Sequence, residues 1–301
     1  MQRKDDTIRI GSVAEHFTMP FHRAMESGDF LNSGLEMEWT DFLGGTGQMC
    51  LALRNGEVDI CALLTEGGIA DICNGNPSVI IGNYVASPIM WGIFTGVDST
   101  LSSPADIYDK RFAISRYGSG SHLIPMVDGL MKGFHLKEDQ FVVVNNMEGG
   151  LRYLEEGMAD VFYWENVTTR PFVQEGRVRQ LGMFITPWPS FILLARQDWV
   201  DDHPESMDTF LQVLYEHSKA FMTDARAVQQ VVGRFDLNPH DVKSWFNTTV
   251  WADHRSINEK TVQNVIYALQ ETGIIQDTLP YEKLVTEKSW AKNYSDSNTT
   301  S

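Results

Sequence analysis

From Thr7 to Val13 apolar and polar positions alternate, the two-residue period of a strand with one buried face. A helix is predicted over Pro20–Ser27, ending at Gly28, and a second strand over Leu35–Thr40. Residues 58–64 and 78–86 are largely apolar runs that predict buried strands, with a helix over 67–74 between them. Trp91–Thr95 predicts a crossover strand. Further strands are expected at 111–115, 141–144, 178–184 and Phe191–Ala195. Gly118-Ser119-Gly120-Ser121 opens a helix, with Pro125 expected in its first turn, where a missing amide hydrogen costs little. From Pro204 the period lengthens to that of helices: Phe210, Leu211, Leu214 and Phe221 form one stripe, and Val228, Val231, Val232 and Phe235 another. A third helix is predicted over 257–272, ending at Gly273, and Lys292–Ser301 reads as a polar, frayed end. This alternation predicts an α/β architecture with parallel, doubly wound sheets and a helical tail packed across the first lobe.

Within that pattern one segment occurs twice, 101 residues apart, as Gly56 with Gly157 and Asp59 with Asp160 show. The first copy runs from Gly44-Gly45-Thr46-Gly47 through Leu51 and Leu53 to Asn55-Gly56-Glu57-Val58-Asp59 and the strand Ile60–Leu64. The second runs from Glu148-Gly149-Gly150 through Leu151 and Leu154 to Glu156-Gly157-Met158-Ala159-Asp160 and Val161–Trp164. Each copy reads as a Gly-rich loop, a short helix, a glycine suited to the left-handed residue that closes it, and a strand. Two lobes on one local plan imply a cleft between them. The lobe boundaries are expected near residues 92 and 192: residues 1–91 with 193–301 in the first lobe, and 92–192 in the second.

Composition narrows the function classes. The 301 residues are 43% hydrophobic and 21% charged, as in a soluble globular protein. The net charge of −16 opposes binding to nucleic acid or to anionic membrane surfaces. The uncharged stretch 72–97 is broken by Asn74, Asn76, Pro77, Asn83 and Pro88, which favours paired strands over a membrane span. Cys50, Cys61 and Cys73 fit no disulfide framework or zinc spacing and read as buried thiols. No apolar signal region precedes the first strand, so a cytoplasmic location is expected, or an extracytoplasmic one if a leader has been removed.

The order of strand, Gly-rich loop, Gly-x-x-Asp, crossover near 92, return near 192 and helical tail resembles the two-lobe type II periplasmic-binding-protein fold, over roughly residues 7–275. Within it the chain is similar to the branch of alkanesulfonate- and taurine-binding proteins and fungal thiamine-pyrimidine synthases, and most to a small fungal family of intracellular proteins. The resemblance implies a small-molecule binding protein with a planar, pyrimidine-like heterocycle or a small anion as ligand. A thiamine-pyrimidine-synthase-like enzyme and a regulatory interaction module are the alternatives. The synthases carry a lysine and a histidine beyond the Gly-x-x-Asp strand and a cysteine-rich run before the return strand. This chain has Ala62-Leu63-Leu64-Thr65-Glu66-Gly67 and Thr186-Pro187-Trp188-Pro189-Ser190 there, so synthase chemistry is not expected.

In open α/β sheets ligands lie beyond the carboxyl ends of the strands, which selects the candidate residues. His16 and Phe17 follow the first strand, and serve equally well as a cap and packing pair. Gly45 and Thr46 open the first repeat helix, where backbone amides favour an anion; Glu148 opens the second. Thr65-Glu66 and Trp164-Glu165 are read as equivalent strand ends that place a carboxylate from each lobe on an amine or ring N–H. Ser119, Gly120 and Ser121, with Arg116 upstream, form a loop suited to a phosphate, sulfonate or carboxylate. Trp91, Tyr117, Tyr163, Trp164 and Trp188 are candidates to stack on a flat ligand. No catalytic constellation, metal cluster or cofactor motif is present, and the sequence fits a monomer or a dimer.

Overall fold

The computed structural model describes residues 7–286. The chain begins β1 (Thr7–Ser12), α1 (Met19–Glu26), α2 (Asp29–Asn32), β2 (Glu36–Asp41), α3 (Thr46–Arg54), β3 (Ile60–Leu64), α4 (Thr65–Cys73) and β4 (Ser78–Val85). It continues with β5 (Met90–Gly96), β6 (Phe112–Ile114), α5 (Gly120–Met131), β7 (Phe141–Val143), α6 (Met147–Glu155), β8 (Val161–Glu165), α7 (Asn166–Gln174) and β9 (Val178–Ile185). After β10 (Phe191–Arg196) come α8 (Gln197–Asp202), α9 (Pro204–Thr223), α10 (Ala227–Phe235), α11 (Pro239–Phe246), α12 (Glu259–Glu271) and α13 (Tyr281–Leu284).

The strands form two five-stranded sheets with the same plan. One has the order β2-β1-β3-β10-β4 and the other β7-β6-β8-β5-β9. In each, three strands run parallel, and the fourth position is taken by a strand antiparallel to both neighbours: β10 in the first sheet, β5 in the second. The sheets are therefore mixed, not purely parallel. The fourth strand of each arrives from the other sheet, and so enters against the direction of its neighbours. β3 and β4 are buried along their whole length, as uncharged strands covered on both faces should be.

The Gly-x-x-Asp repeat is a structural unit with a partner that sequence spacing does not reveal. Gly56 and Gly157 sit at φ 68° and 65°, ending α3 and α6. The Asp three residues on accepts from the backbone N–H and guanidinium of an arginine on the neighbouring strand. Arg9 N donates to Asp59 Oδ2 at 3.0 Å and Arg111 N to Asp160 Oδ2 at 3.0 Å. Each guanidinium also donates to the glycine carbonyl, Arg9 to Gly56 and Arg111 to Gly157. The arginine thus fastens helix end to sheet in both lobes.

Several boundaries differ from expectation. α4 begins at Thr65, so Thr65 and Glu66 lie in a first helical turn and not a loop. Pro125 stands inside α5, beyond its first turn. The tail packs α9 on α1 and α12 on α4, but α12 also meets α5 and α11 meets α7, so it touches both lobes. Arg170 of α7 pairs with Asp241 of α11 at 3.0 Å. The cysteines are free thiols, Cys50 and Cys61 buried and Cys73 half-buried. No helix among the described residues is long and apolar enough to cross a membrane. The frayed end expected at Lys292–Ser301 lies outside the described residues.

Candidate functional site

The parallel strands of both sheets end on a shared cleft with an internal space of about 130 Å³. The first sheet contributes Val13–Glu15 after β1, Phe42–Thr46 between β2 and α3, Leu64 at the end of β3, and Phe191 at the start of β10. The second contributes Ser115 after β6, Ser119–Ser121 at the start of α5, and Trp164 and Glu165 at the end of β8. Ile89, just before β5, and Trp91, within it, complete the wall. Eight expected residues are brought together here: Gly45, Thr46, Trp91, Ser119, Gly120, Ser121, Trp164 and Glu165.

The others are placed elsewhere. The His16 ring is fully buried between Phe17 and Trp245, 4.7 and 4.1 Å away by ring centroids, and burial drives its pKa down to about 3. Phe17 packs on Phe191 beneath the cleft. Thr65 donates its hydroxyl to the Pro189 carbonyl at 2.6 Å, and Glu66 accepts from the Trp188 indole at 2.9 Å. Together these bonds clasp the Thr186–Ser190 crossover to the start of α4. Tyr117 is 49% exposed beside His122, and Glu148 is an exposed partner of Arg177 at 2.8 Å.

The reading of Glu66 and Glu165 as equivalents is corrected by the backbone. The residue equivalent to Glu165 is Leu64, 101 positions earlier. Leu64 caps α4 with φ −59° and ψ 134°, and Glu165 caps α7 with φ −58° and ψ 132°. Glu66 falls two residues further on, in the first turn of α4. The second carboxylate of the cleft comes instead from Glu15, which sequence reasoning passed over in favour of its neighbours. No signal in the sequence separates the two: the helical turn that starts at His16 leaves Glu15 lining the cleft and buries His16 in the core.

Two electrostatic features dominate. The first is the carboxyl pair. Glu15 is half-buried and deep in the cleft; burial, and then the charge of Glu165, push its pKa up to about 8. Glu165 is buried and pushed up to about 7, against the opposing hydrogen bonds it accepts from Val167 N (3.0 Å) and Thr168 N (2.8 Å). The second is a concentration of positive potential. α3 and α5 both point their N-termini at the cleft, and among the described residues the amides of Thr46, Gly47, Gly120 and Ser121 have no backbone acceptor. Arg116 lies over Gly44, where an added Cβ would fall 2.3 Å from Nη2, so the lobe II cation rests against the lobe I helix start.

The serine hydroxyls are less available than their sequence suggested. Ser119 Oγ donates to the Arg116 carbonyl at 2.7 Å, and Ser121 Oγ accepts from Ser115 N at 2.8 Å. His122 accepts from Gly118 N at 3.1 Å and stays out of the cleft wall. Among the described residues no group of three or more His, Cys, Asp or Glu is arranged to hold a metal ion.

Comparison with known proteins agrees with this architecture. Residues 91–184 match the model of the Ca3427-like periplasmic binding proteins. The structure of the Candida albicans CA3427 gene product, which defines a family with the generic periplasmic binding protein fold, is similar at TM-score 0.85 and 23% identity. That match covers 91% of this chain and 92% of that one. The alkanesulfonate-binding protein SsuA of Xanthomonas axonopodis pv. citri, bound to MOPS, is similar at TM-score 0.78 and 16% identity, over 94% of this chain and 99% of that one. The periplasmic aliphatic sulphonate binding protein SsuA of Escherichia coli is similar at TM-score 0.69 and 15% identity, over 95% and 94%. No curated protein sequence matches the chain. The chain has the two-lobe periplasmic-binding-protein fold, as its sequence led us to expect.

Proposed function

We propose that this protein binds a small zwitterion, its acidic group at the converging starts of α3 and α5 and its nitrogen-bearing end between Glu15 and Glu165. The observation that carries the reading is the carboxyl pair itself, raised to about 8 and about 7 in a cleft where helix dipoles of the opposite character also end. A purely anionic ligand uses the carboxyls only while they keep their protons; a purely cationic one leaves the helix ends without a partner. The SsuA of Xanthomonas was bound to MOPS, which joins a sulfonate to a basic ring nitrogen, and this supports the same pairing here. Trp91, Trp164, Phe42 and Phe191 in the wall favour a flat ring as the body of the ligand, so a heterocycle bearing a ring N–H is the second reading. The lobes are taken to divide near residues 92 and 192, and to close on the ligand about those crossovers.

Calorimetric titration with taurine, and with its halves ethanesulfonate and ethylamine, tests the proposal. Taurine is expected to bind more tightly than either half. Halves that bind as well as the whole would count against a two-ended site.

A further inference from the structure

We propose that the Trp91 indole N–H is a ligand-binding donor that completes an oxyanion subsite with the first amides of α5, and is not merely a stacking surface. The proposal rests on the zwitterion reading and deepens it by naming how the acidic end is held. Trp91 is 5% exposed and lines the cleft, yet among the described residues no group accepts from Nε1. Buried indole N–H groups normally find an acceptor, so one left open at a ligand cleft points to the ligand as its partner.

Its setting fixes which end of the ligand it meets. The indole lies directly on Gly120, the first residue of α5: a Cβ there would fall 2.4 Å from Trp91 Cη2 and 2.8 Å from Cζ2. Glycine at that position lets the ring reach the helix start, beside the Gly120 and Ser121 amides that α5 leaves unpaired. Trp91 also sits opposite Glu165 in the β5–β8 register, so the two side chains project side by side on one face of the sheet. The donor and the carboxyl are neighbours, as a ligand with an acidic and a basic group close together requires. Ser119, one of the more obvious candidates, donates its hydroxyl to the Arg116 carbonyl, and Ser121, which accepts from the Ser115 amide, has Ser115 Oγ as acceptor at 3.3 Å.

The test reads the indole directly. In nitrogen–proton correlation spectra the Trp91 resonance is assigned by its loss in Trp91→Phe. Ethanesulfonate and taurine are expected to move it downfield to saturation; ethylamine, lacking the acidic group, is not. Trp91→Phe keeps a ring over Gly120 and is expected to weaken ethanesulfonate and taurine alike by about tenfold, as for one hydrogen bond to a charged group. Gly120→Ala, which displaces the ring, is expected to weaken them too. Failure of the carboxyl-pair reading would show in the ethylamine titration, and leaves the ethanesulfonate result to stand alone. An indole resonance unmoved by both sulfonates, or Trp91→Phe binding them as tightly as wild type, overturns the subsite.

Discussion

Leu64 and Glu165 hold the same place in the two copies of the repeat, each capping the helix that follows the third strand of its lobe with backbone angles that agree within two degrees. One cap is apolar and the other acidic, so the duplication supplies the frame of the cleft and the substitution supplies its polarity. Glu165→Leu would make the second lobe imitate the first. The variant loses a side-chain cap on two amides of α7, at about 1 kcal/mol of stability, and should lose the difference in affinity between taurine and ethanesulfonate. Urea denaturation and calorimetry read the two effects separately. Preserved selectivity for taurine would remove Glu165 from the site.

The paired Asp residues make a second comparison within one molecule. Asp59 is buried and faces Arg9 and, at 3.7 Å, Arg196. Asp160 is half-buried and faces Arg111, which is itself exposed. Removing one partner of an enclosed ion pair leaves an uncompensated charge, whereas water compensates at the open one. Asp59→Ala is therefore expected to cost roughly 3 kcal/mol and Asp160→Ala about 1 kcal/mol after solvent screening. Equal losses in urea denaturation would contradict the burial argument.

How much of this was legible in the sequence follows from where each signal resides. The repeat, the crossovers and the helical tail are local patterns of apolar residues and glycine, and they were readable. The antiparallel entry of β5 and β10 was not, since strand direction depends on which sheet a strand joins. Arg9 and Arg111 carry no local mark of pairing with an Asp about 50 residues later. At the site, loop position found the starts of α3 and α5. The difference between Glu15, in the cleft, and His16, behind it, lies in a single turn of backbone. Glu66 was misassigned because its helix begins two residues earlier than the apolar pattern suggests.

Stability should vary with pH in a way these groups dictate. His16, His22 and His122 are held down to about 3, 4 and 4 by burial. The unfolded chain takes up protons that the folded one refuses, so their contribution is complete above 6.5 and is lost as pH falls toward 4 and 3. Glu15, Glu66 and Glu165 are pushed up to about 8, 7 and 7 from 4.5. Here the folded chain keeps protons that the unfolded one releases, so stability falls as pH rises from 4.5 and stops falling past about 8. Between 4.5 and 6.5 three groups oppose three. A broad maximum is expected there, with losses on both sides, in urea midpoints followed across pH. A steady rise in stability from pH 5 to 8 would mean that the carboxyls are already ionised.

The crossover offers a separate test. Trp188 donates to Glu66 Oε2, while Glu66 Oε1, also buried, has no partner among the described residues. Trp188→Phe removes the one side-chain donor to this enclosed carboxyl among the described residues, at about 1–3 kcal/mol. The loss should be larger at pH 8 than at pH 5, because burial raises Glu66 to about 7 and the charged form depends more on its donor. A loss that does not change with pH would assign Trp188 to packing alone.

Ligand binding should be coupled to proton release. With Glu15 pushed up to about 8 and Glu165 to about 7, the unliganded cleft holds protons at neutral pH. An ammonium group placed between the carboxyls favours their ionised forms and lowers both pKa values, so protons leave as the ligand enters. Taurine suits the measurement because its own ammonium stays charged through this range. Its affinity is expected to rise with pH between about 7 and 8 and then level off, by up to about tenfold per pH unit for each proton released. Calorimetry at one pH in phosphate and in Tris reads the coupling directly, since the released proton is taken up by buffers with different heats of ionisation. In Glu15→Gln, which keeps the shape of the side chain but cannot ionise, the difference between buffers should shrink and taurine should bind more weakly, with ethanesulfonate much less affected. Identical heats in both buffers for the wild-type protein would mean that no proton is displaced, and the ligand's nitrogen would then have to be sought away from Glu15 and Glu165.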